Sequence, residues 1–233
     1  MYRYYGYGLD WTYILVIIAL LFSVVVQARM KSTFAKYQKI HSSCGLTGAE
    51  AARRILESEG LYNVQIRPIA GSLTDNYNPA DNTVNLSESV YGSTSLAAIG
   101  VAAHECGHAI QHARDYAPLS VRSALVPAAN IGSRGSWVIF IIGLMMSRPA
   151  VIKIGILMFC AVLAFQLVTL PVEFNASRRA LAKLGQTGLM AEEEIGGTRR
   201  VLRAAAMTYV AAVCSSMMHL ARMIILSGGR RRD

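Results

Sequence analysis

Val101-Ala102-Ala103-His104-Glu105-Cys106-Gly107-His108-Ala109-Ile110-Gln111-His112 is the stretch on which the reading of this chain turns. It contains His-Glu-x-x-His. On a helix, residues four apart share a face and lie about 6 Å apart along the axis. Imidazoles stacked that way can both reach one Zn²⁺ at roughly 2.0–2.1 Å. Glu105 follows the first of them and can lean over a metal-bound water as general base. The residues before the motif, Ser95 to Ala103, are small and apolar, as a buried helix requires. The competing reading is a helix that uses its His residues for packing. A match in the middle of a buried-looking segment, in a chain with five His, favours zinc.

Working outward, the 233 residues leave room for one or two domains. Hydrophobic residues make up 53% and charged residues 16%, which points to a membrane rather than to a soluble domain. The net charge is +9, from 23 basic and 14 acidic residues. The basic residues sit at the ends of apolar runs and not in a stripe interleaved with aromatics. That argues for a lipid bilayer as partner and against nucleic acid. Cys44, Cys106, Cys160 and Cys214 are scattered without a CxxC pair and read as free thiols.

The N-terminal ten residues are rich in Tyr and Gly, and Trp11 and Tyr13 follow as interface anchors. Asp10 and Arg29 enclose 18 uncharged residues, just enough for a transmembrane helix. Val26-Gln27-Ala28 resembles a signal cleavage site, but Arg29, Lys31, Lys36 and Lys39 follow it and resist export. An uncleaved anchor is expected, with the N-terminus outside and residue 29 onward in the cytoplasm.

Thr47-Gly48-Ala49-Glu50 has the capping-box pattern. The helix it starts carries Ala51, Ala52, Ile55 and Leu56 on one side and ends near Gly60. Val64-Gln65-Ile66-Arg67 alternates and reads as a strand. Asp75 to Asn82 is rich in turn residues. Thr83-Val84-Asn85-Leu86 alternates again, just ahead of the zinc motif. Val84, Asn85 and Leu86 are candidates for a strand whose edge receives an extended peptide; a plain hairpin is the alternative.

Beyond the motif, Asp115 and Pro118 end or break its helix. Residues 124–146 are apolar but hold Pro127, Asn130 and Arg134. Residues 154–172 form an uncharged span between Lys153 and Glu173. The segment 174–203 is polar and basic, and its Glu192-Glu193-Glu194 run reads as a solvated face. A further uncharged run, 204–221, is weakened as a span by His219 and Arg222, and Arg230-Arg231-Arg232 follow.

A catalytic zinc usually has three protein ligands and one open position. His112 lies eight residues past His104, roughly 12 Å along the same helix, and cannot share the metal. His41 has no partner at ligand spacing. Asp115 is too close in the chain to fold back. Glu173 stands out, because a carboxylate at a membrane edge is costly unless it is paired or metal-bound. Pairing with Arg178 or Arg179 is its alternative. Ser177, four residues on, shares its helical face and could support a ligand. Both His and Glu173 must lie on one side of the membrane. The segment 124–146 must therefore cross too, in a hairpin with its turn near Arg148-Pro149.

With these residues in place the sequence resembles the YugP-type neutral zinc metallopeptidases of bacterial membranes. The resemblance rests on His104-Glu105-x-x-His108, the hairpin and Glu173-x-x-Ala176-Ser177 with Arg-Arg-Ala after it. It extends to Leu73-Thr74-Asp75 and to Val84-Asn85-Leu86-Ser87-Glu88. It implies a gluzincin-like endopeptidase in the bacterial cytoplasmic membrane. Its zinc ligands would be His104, His108 and Glu173, its catalytic carboxylate Glu105. The plan is also similar to the HtpX-type membrane proteases, where an Asp usually stands four residues past the ligand Glu. Ser177 occupies that place here.

The expected fold is a mainly α membrane protein with three or four transmembrane helices, a zincin-like helix and a small β-hairpin or sheet. The expected organisation is an anchor over 1–28, a cytoplasmic catalytic segment over 29–122 and a transmembrane hairpin over 123–172. A third-ligand helix and polar segment over 173–203 and a transmembrane or membrane-buried helix with a basic tail over 204–233 complete it. The expected activity is zinc-dependent hydrolysis of a peptide or protein substrate on the cytoplasmic side, with one Zn²⁺ per chain. Glu105 would move the proton, and Tyr77, Tyr91 and Arg178 are candidates to stabilise the oxyanion. Ser177 and Arg178 are candidates to support the ligands. The alternatives are a non-catalytic, zinc-stabilised scaffold or chaperone-like protein, and a transporter, which the few intramembrane charges support little.

Overall fold

Helices dominate because long apolar runs alternate with short polar connections. The computed structural model describes residues 10–228. The Tyr- and Gly-rich residues before Asp10, Arg3 among them, and the basic Arg230–Arg232 tail lie outside the described residues. In order, the elements are α1 (Tyr13–Tyr37), α2 (Gly48–Ser58), β1 (Gln65–Ile69), β2 (Asn76–Asn78) and β3 (Thr83–Ser87). Then follow α3 (Glu88–Tyr91), α4 (Leu96–Ala113), α5 (Ala117–Met145), α6 (Pro149–Gln186) and α7 (Glu192–Gly228). Four of these, α1, α5, α6 and α7, are long and apolar enough to cross a membrane. Of the described residues, 10–25, 125–166 and 211–228 form one compact unit, and 26–124 and 167–210 the other.

The first unit is built as helices in lipid are. Many of its apolar side chains point outward, Leu20, Ile131 and Leu157 among them, while Phe140, Ile152, Phe159 and Met223 pack inside. Its contacts are made by small residues that let backbones approach. A Cβ at Gly132 would lie 2.4 Å from the Met158 carbonyl oxygen, and one at Gly155 2.8 Å from the Phe140 nitrogen. The polar groups that weaken the last span in the sequence are satisfied. Arg222 donates from Nε to Thr12 Oγ1 at 3.1 Å and lies over the Tyr13 ring. His219 donates from Nδ1 to the Ser215 carbonyl at 2.8 Å.

The second unit has a core such as water demands. Ala51, Ala52, Ile55 and Leu56 of α2 are completely buried, together with Ile99 and Cys106 of α4. The capping box is present: the Thr47 hydroxyl accepts from the Glu50 N–H, and the Glu50 carboxylate accepts from the Thr47 N–H at 2.8 Å.

Of the expected hairpin or small sheet, the chain forms the sheet, with three strands. Its order is β1-β3-β2. The two strands read from the sequence are parallel neighbours, with Gln65 opposite Thr83. The third strand, β2, arises inside the stretch read as turn and pairs antiparallel with β3, Tyr77 opposite Val84. β3 is therefore central, and Val84 and Leu86 are buried. That corrects the reading of Val84, Asn85 and Leu86 as a substrate strand, because the backbone of Val84 and Asn85 is paired on both sides.

The Glu192–Glu194 run is corrected in one member. Glu194 accepts from the Ser43 N–H at 2.6 Å and from the Ala191 N–H at 3.1 Å, so it ties a loop instead of facing only solvent.

Candidate metal centre

The Ser95 hydroxyl starts α4 by accepting from the Ala98 N–H at 3.2 Å. From there small residues keep the helix closely packed. A Cβ at Gly107 would lie 2.6 Å from the Ala176 carbonyl oxygen. Backbone cannot yield as a side-chain end can, so the absence of a side chain at Gly107 is what lets α6 lie against α4. Gly107 sits between Glu105 and His108, and Ala176 follows Glu173 by less than a turn. The close approach therefore occurs at the level where the two helices must meet.

The result is a convergence of three donor atoms. His104 Nε2 is 3.3 Å from Glu173 Oε2, and His108 Nε2 is 3.7 Å from the same oxygen. All three ligand atoms lie within 4.8 Å of one another, and they form the group of potential metal ligands found among the described residues. Tetrahedral ligands at zinc distances stand roughly 3.3 Å apart, so the spacing fits one small cation. The chemistry also fits, with two imidazoles and one carboxylate. Glu173 is only 3% exposed, and such a group is costly without a cationic partner.

The far side of each imidazole is held. Gln111 is fully buried and donates from Nε2 to the Val172 carbonyl at 2.8 Å. Its Oε1 therefore faces His108 Nδ1, at 3.0 Å, and the imidazole must donate there. In the neutral ring this leaves the lone pair on Nε2, the atom nearest Glu173 and the one a metal would take. On His104, Nδ1 meets the Ser177 hydroxyl at 3.1 Å. Polar partners of this kind fix ring orientation in metal sites.

Glu105 lies in the same cavity, of about 270 Å³, with His104, Glu173, Ser177 and Tyr209 along its wall. Burial pushes the Glu105 carboxyl above the ordinary range. The two imidazoles pull the other way, and the charges of Glu173 and Asp75 add to the rise. A base shifted towards neutrality is better matched to proton transfer at physiological pH.

Several expected residues stand elsewhere. Tyr77 is engaged with His112 Nδ1 at 2.8 Å and with Asn82 at 2.9 Å. Tyr91 packs on the α2–α4 core. Arg178 is exposed and lines a different groove; Arg179 is the one drawn in, donating to Asn175 Oδ1 at 2.8 Å. His41 is exposed and bonded to Thr94. The free sheet edge on this side is β2, and Leu73 and Asp75, which lead into it, line the cavity.

Three residues escaped the sequence reading. Gln111 carried a usable signal, a polar residue three past His108 within an apolar helix. Arg122 lies 3.8 Å from Glu173 Oε1, and Tyr209 lines the same cavity as Glu173. Both come from distant helices, and nothing local marks them.

A family model described as "Putative neutral zinc metallopeptidase" matches residues 12–228. A curated relative, "Putative membrane protease YugP" of Bacillus subtilis (strain 168), is 46% identical over 216 residues, which is 92% of this chain and 96% of the relative. No solved structure matches.

Proposed function

Because the chain belongs to the neutral zinc metallopeptidase family, which it matches over residues 12–228, we propose that it is a membrane-bound endopeptidase cutting peptide bonds with an activated water. The observation that carries this is the meeting of His104, His108 and Glu173 beside the buried carboxylate of Glu105.

His104 and His108 would hold zinc through Nε2, and Glu173 through Oε2. Zinc bound there supplies a Lewis acid and lowers the pKa of water to about 7. Glu105 takes the proton from the attacking water on its carboxylate and delivers it to the departing amine. Gln111 and Ser177 keep the imidazoles turned. Tyr209 and Arg122 flank Glu173 and are the groups placed to steady charge on the scissile carbonyl. A site that only stabilised a scaffold would have no use for a base in Glu105's position and would usually be closed by four ligands.

In this reading 1–28 anchors the chain and 29–122 carries the motif helix. The span pair 123–172 brings Glu173, at the head of 173–203, back to the side of the motif, and 204–233 completes the membrane part. Lys31, Lys36 and Lys39 after the first span support a cytoplasmic position for that side. A cysteine replacing the exposed Arg114 should then react with an impermeant maleimide only in inside-out vesicles; labelling from outside would reverse the orientation.

The decisive measurement is zinc content beside casein cleavage in detergent. Wild type should carry one zinc and cut. Glu105→Gln should keep zinc and lose at least about a hundredfold in rate. Glu173→Ala should lose both zinc and cleavage. Full activity in Glu105→Gln would rule out its role, unchanged zinc in Glu173→Ala would move the third ligand elsewhere, and zinc without cleavage in wild type would leave a scaffold.

A further inference from the structure

A groove of about 890 Å³ runs between α6 and α7 within the unit that holds the metal centre. Phe174, Leu181 and Ile195 give it apolar walls. Ser177, Leu202 and Ala206 line both this groove and the cavity at Glu105, so the two adjoin.

Three guanidinium groups line the groove as well: Arg178, Arg199 and Arg203. All three are exposed. None has an ion pair or a hydrogen bond among the described residues, whereas Arg114, Arg122, Arg179 and Arg200 nearby are all engaged. The acid that lines the groove, Glu192, is ten residues before Leu202 on α7, roughly 15 Å from the cavity end. Arg178 and Arg203 adjoin Ser177 and Leu202 in the chain and so stand at the cavity end. Arg199 is one turn further out. The charge is thus one-sided where the groove meets the site.

The dimensions suit a peptide. The lining residues of α6 run from Phe174 to Gly185, a rise of roughly 16 Å. An extended chain at about 3.3 Å per residue covers that with about five residues. We propose that this groove receives the substrate on one side of the scissile bond and selects segments in which apolar residues are accompanied by Asp or Glu. The proposal rests on the peptidase reading above. A phospholipid headgroup would also satisfy the arginines, but the walls shared with the catalytic cavity favour the peptide.

Binding tests it without cleavage. Two labelled ten-residue peptides, identical except for Asp and Glu in one and Asn and Gln in the other, are titrated by fluorescence anisotropy into full-length Glu105→Gln protein in detergent. The acidic peptide should bind about tenfold more tightly at low salt, an advantage lost at high salt. Adding Arg178→Gln and Arg203→Gln should abolish the advantage. Arg203→Glu should shift the preference towards a peptide carrying Lys, a gain that misfolding cannot produce. Equal affinities for the two peptides, or an advantage indifferent to the arginines, would overturn the proposal. So would loss of retained phosphatidylglycerol in the arginine variants with peptide binding unchanged. If wild type shows the arginine-dependent preference yet cuts neither peptide, the groove's selectivity stands and the peptidase reading fails.

Discussion

Tyr62 and Leu157 are equally bare, at 73% and 72% exposure, yet they belong to regions built for different solvents. Around Tyr62, just after α2, the chain follows the logic of a water-soluble core. Aliphatic residues of α2 and α4 are wholly enclosed, and Glu50, Arg54 and Glu57 of α2 lie outside. Around Leu157 the order is inverted. Ile131, Ile154 and Leu157 face outward, and glycines let the helices close on a few large side chains such as Phe140 and Met223. The difference teaches that exposure alone has no sign. An exposed apolar side chain is unfavourable in water and costs nothing in lipid, where packing of small residues replaces the hydrophobic effect as the force between helices.

The sharpest way to break this comparison is to place the same charge in both regions. Leu20 is 60% exposed, near the centre of the 18 uncharged residues between Asp10 and Arg29. Leu20→Arg should cost about 2.5–3.5 kcal/mol of insertion free energy. Tyr62→Arg should stay within about 0.5 kcal/mol. The readout is the yield of carbonate-resistant, membrane-integrated protein. Equal yields would mean that Leu20 does not face lipid and that the first region has been assigned the wrong solvent.

The sequence was most legible where one short-range rule governed the outcome. Helical spacing placed His104 and His108 on one face. Membrane cost singled out Glu173, and a capping box announced α2. It was least legible where partners come together from distant segments. β2 was hidden in turn-forming residues because three-residue strands carry no periodicity. β3 became central only through a parallel neighbour and an antiparallel one, which alternation cannot reveal. Arg178 and Arg179 are adjacent and chemically alike. Only the packing of α6 decides that Arg179 reaches Asn175 while Arg178 lines the groove. The polar stretch after Glu173 hid the continuity of α6, which runs without a break to Gln186.

The smallest effect tests the water-facing side of the comparison through pH. Glu59 caps the end of α2 and joins it to two other helices. It pairs with Lys183 of α6 and, at 3.2 Å, with Arg114 at the end of α4. The Lys183 hydrogen bond holds its carboxyl below the usual range; burial opposes the shift, and Arg114 reinforces it. A depressed carboxyl contributes stability that is fully present above its unfolded pKa, about 4.3, and is lost as pH falls through the folded value. Because both cations reach solvent, the contribution should be at most about 1 kcal/mol at pH 7. Thermal melting of wild type and Glu59→Gln in detergent should therefore differ slightly at neutral pH and converge in acid. The gap should also shrink in high salt, since the pair lies within reach of water. A gap that persisted in acid would show that Glu59 acts through its shape at the helix end and not through its charge. A gap that grew on acidification would reverse the sign of the linkage and exclude the ion pairs as its cause.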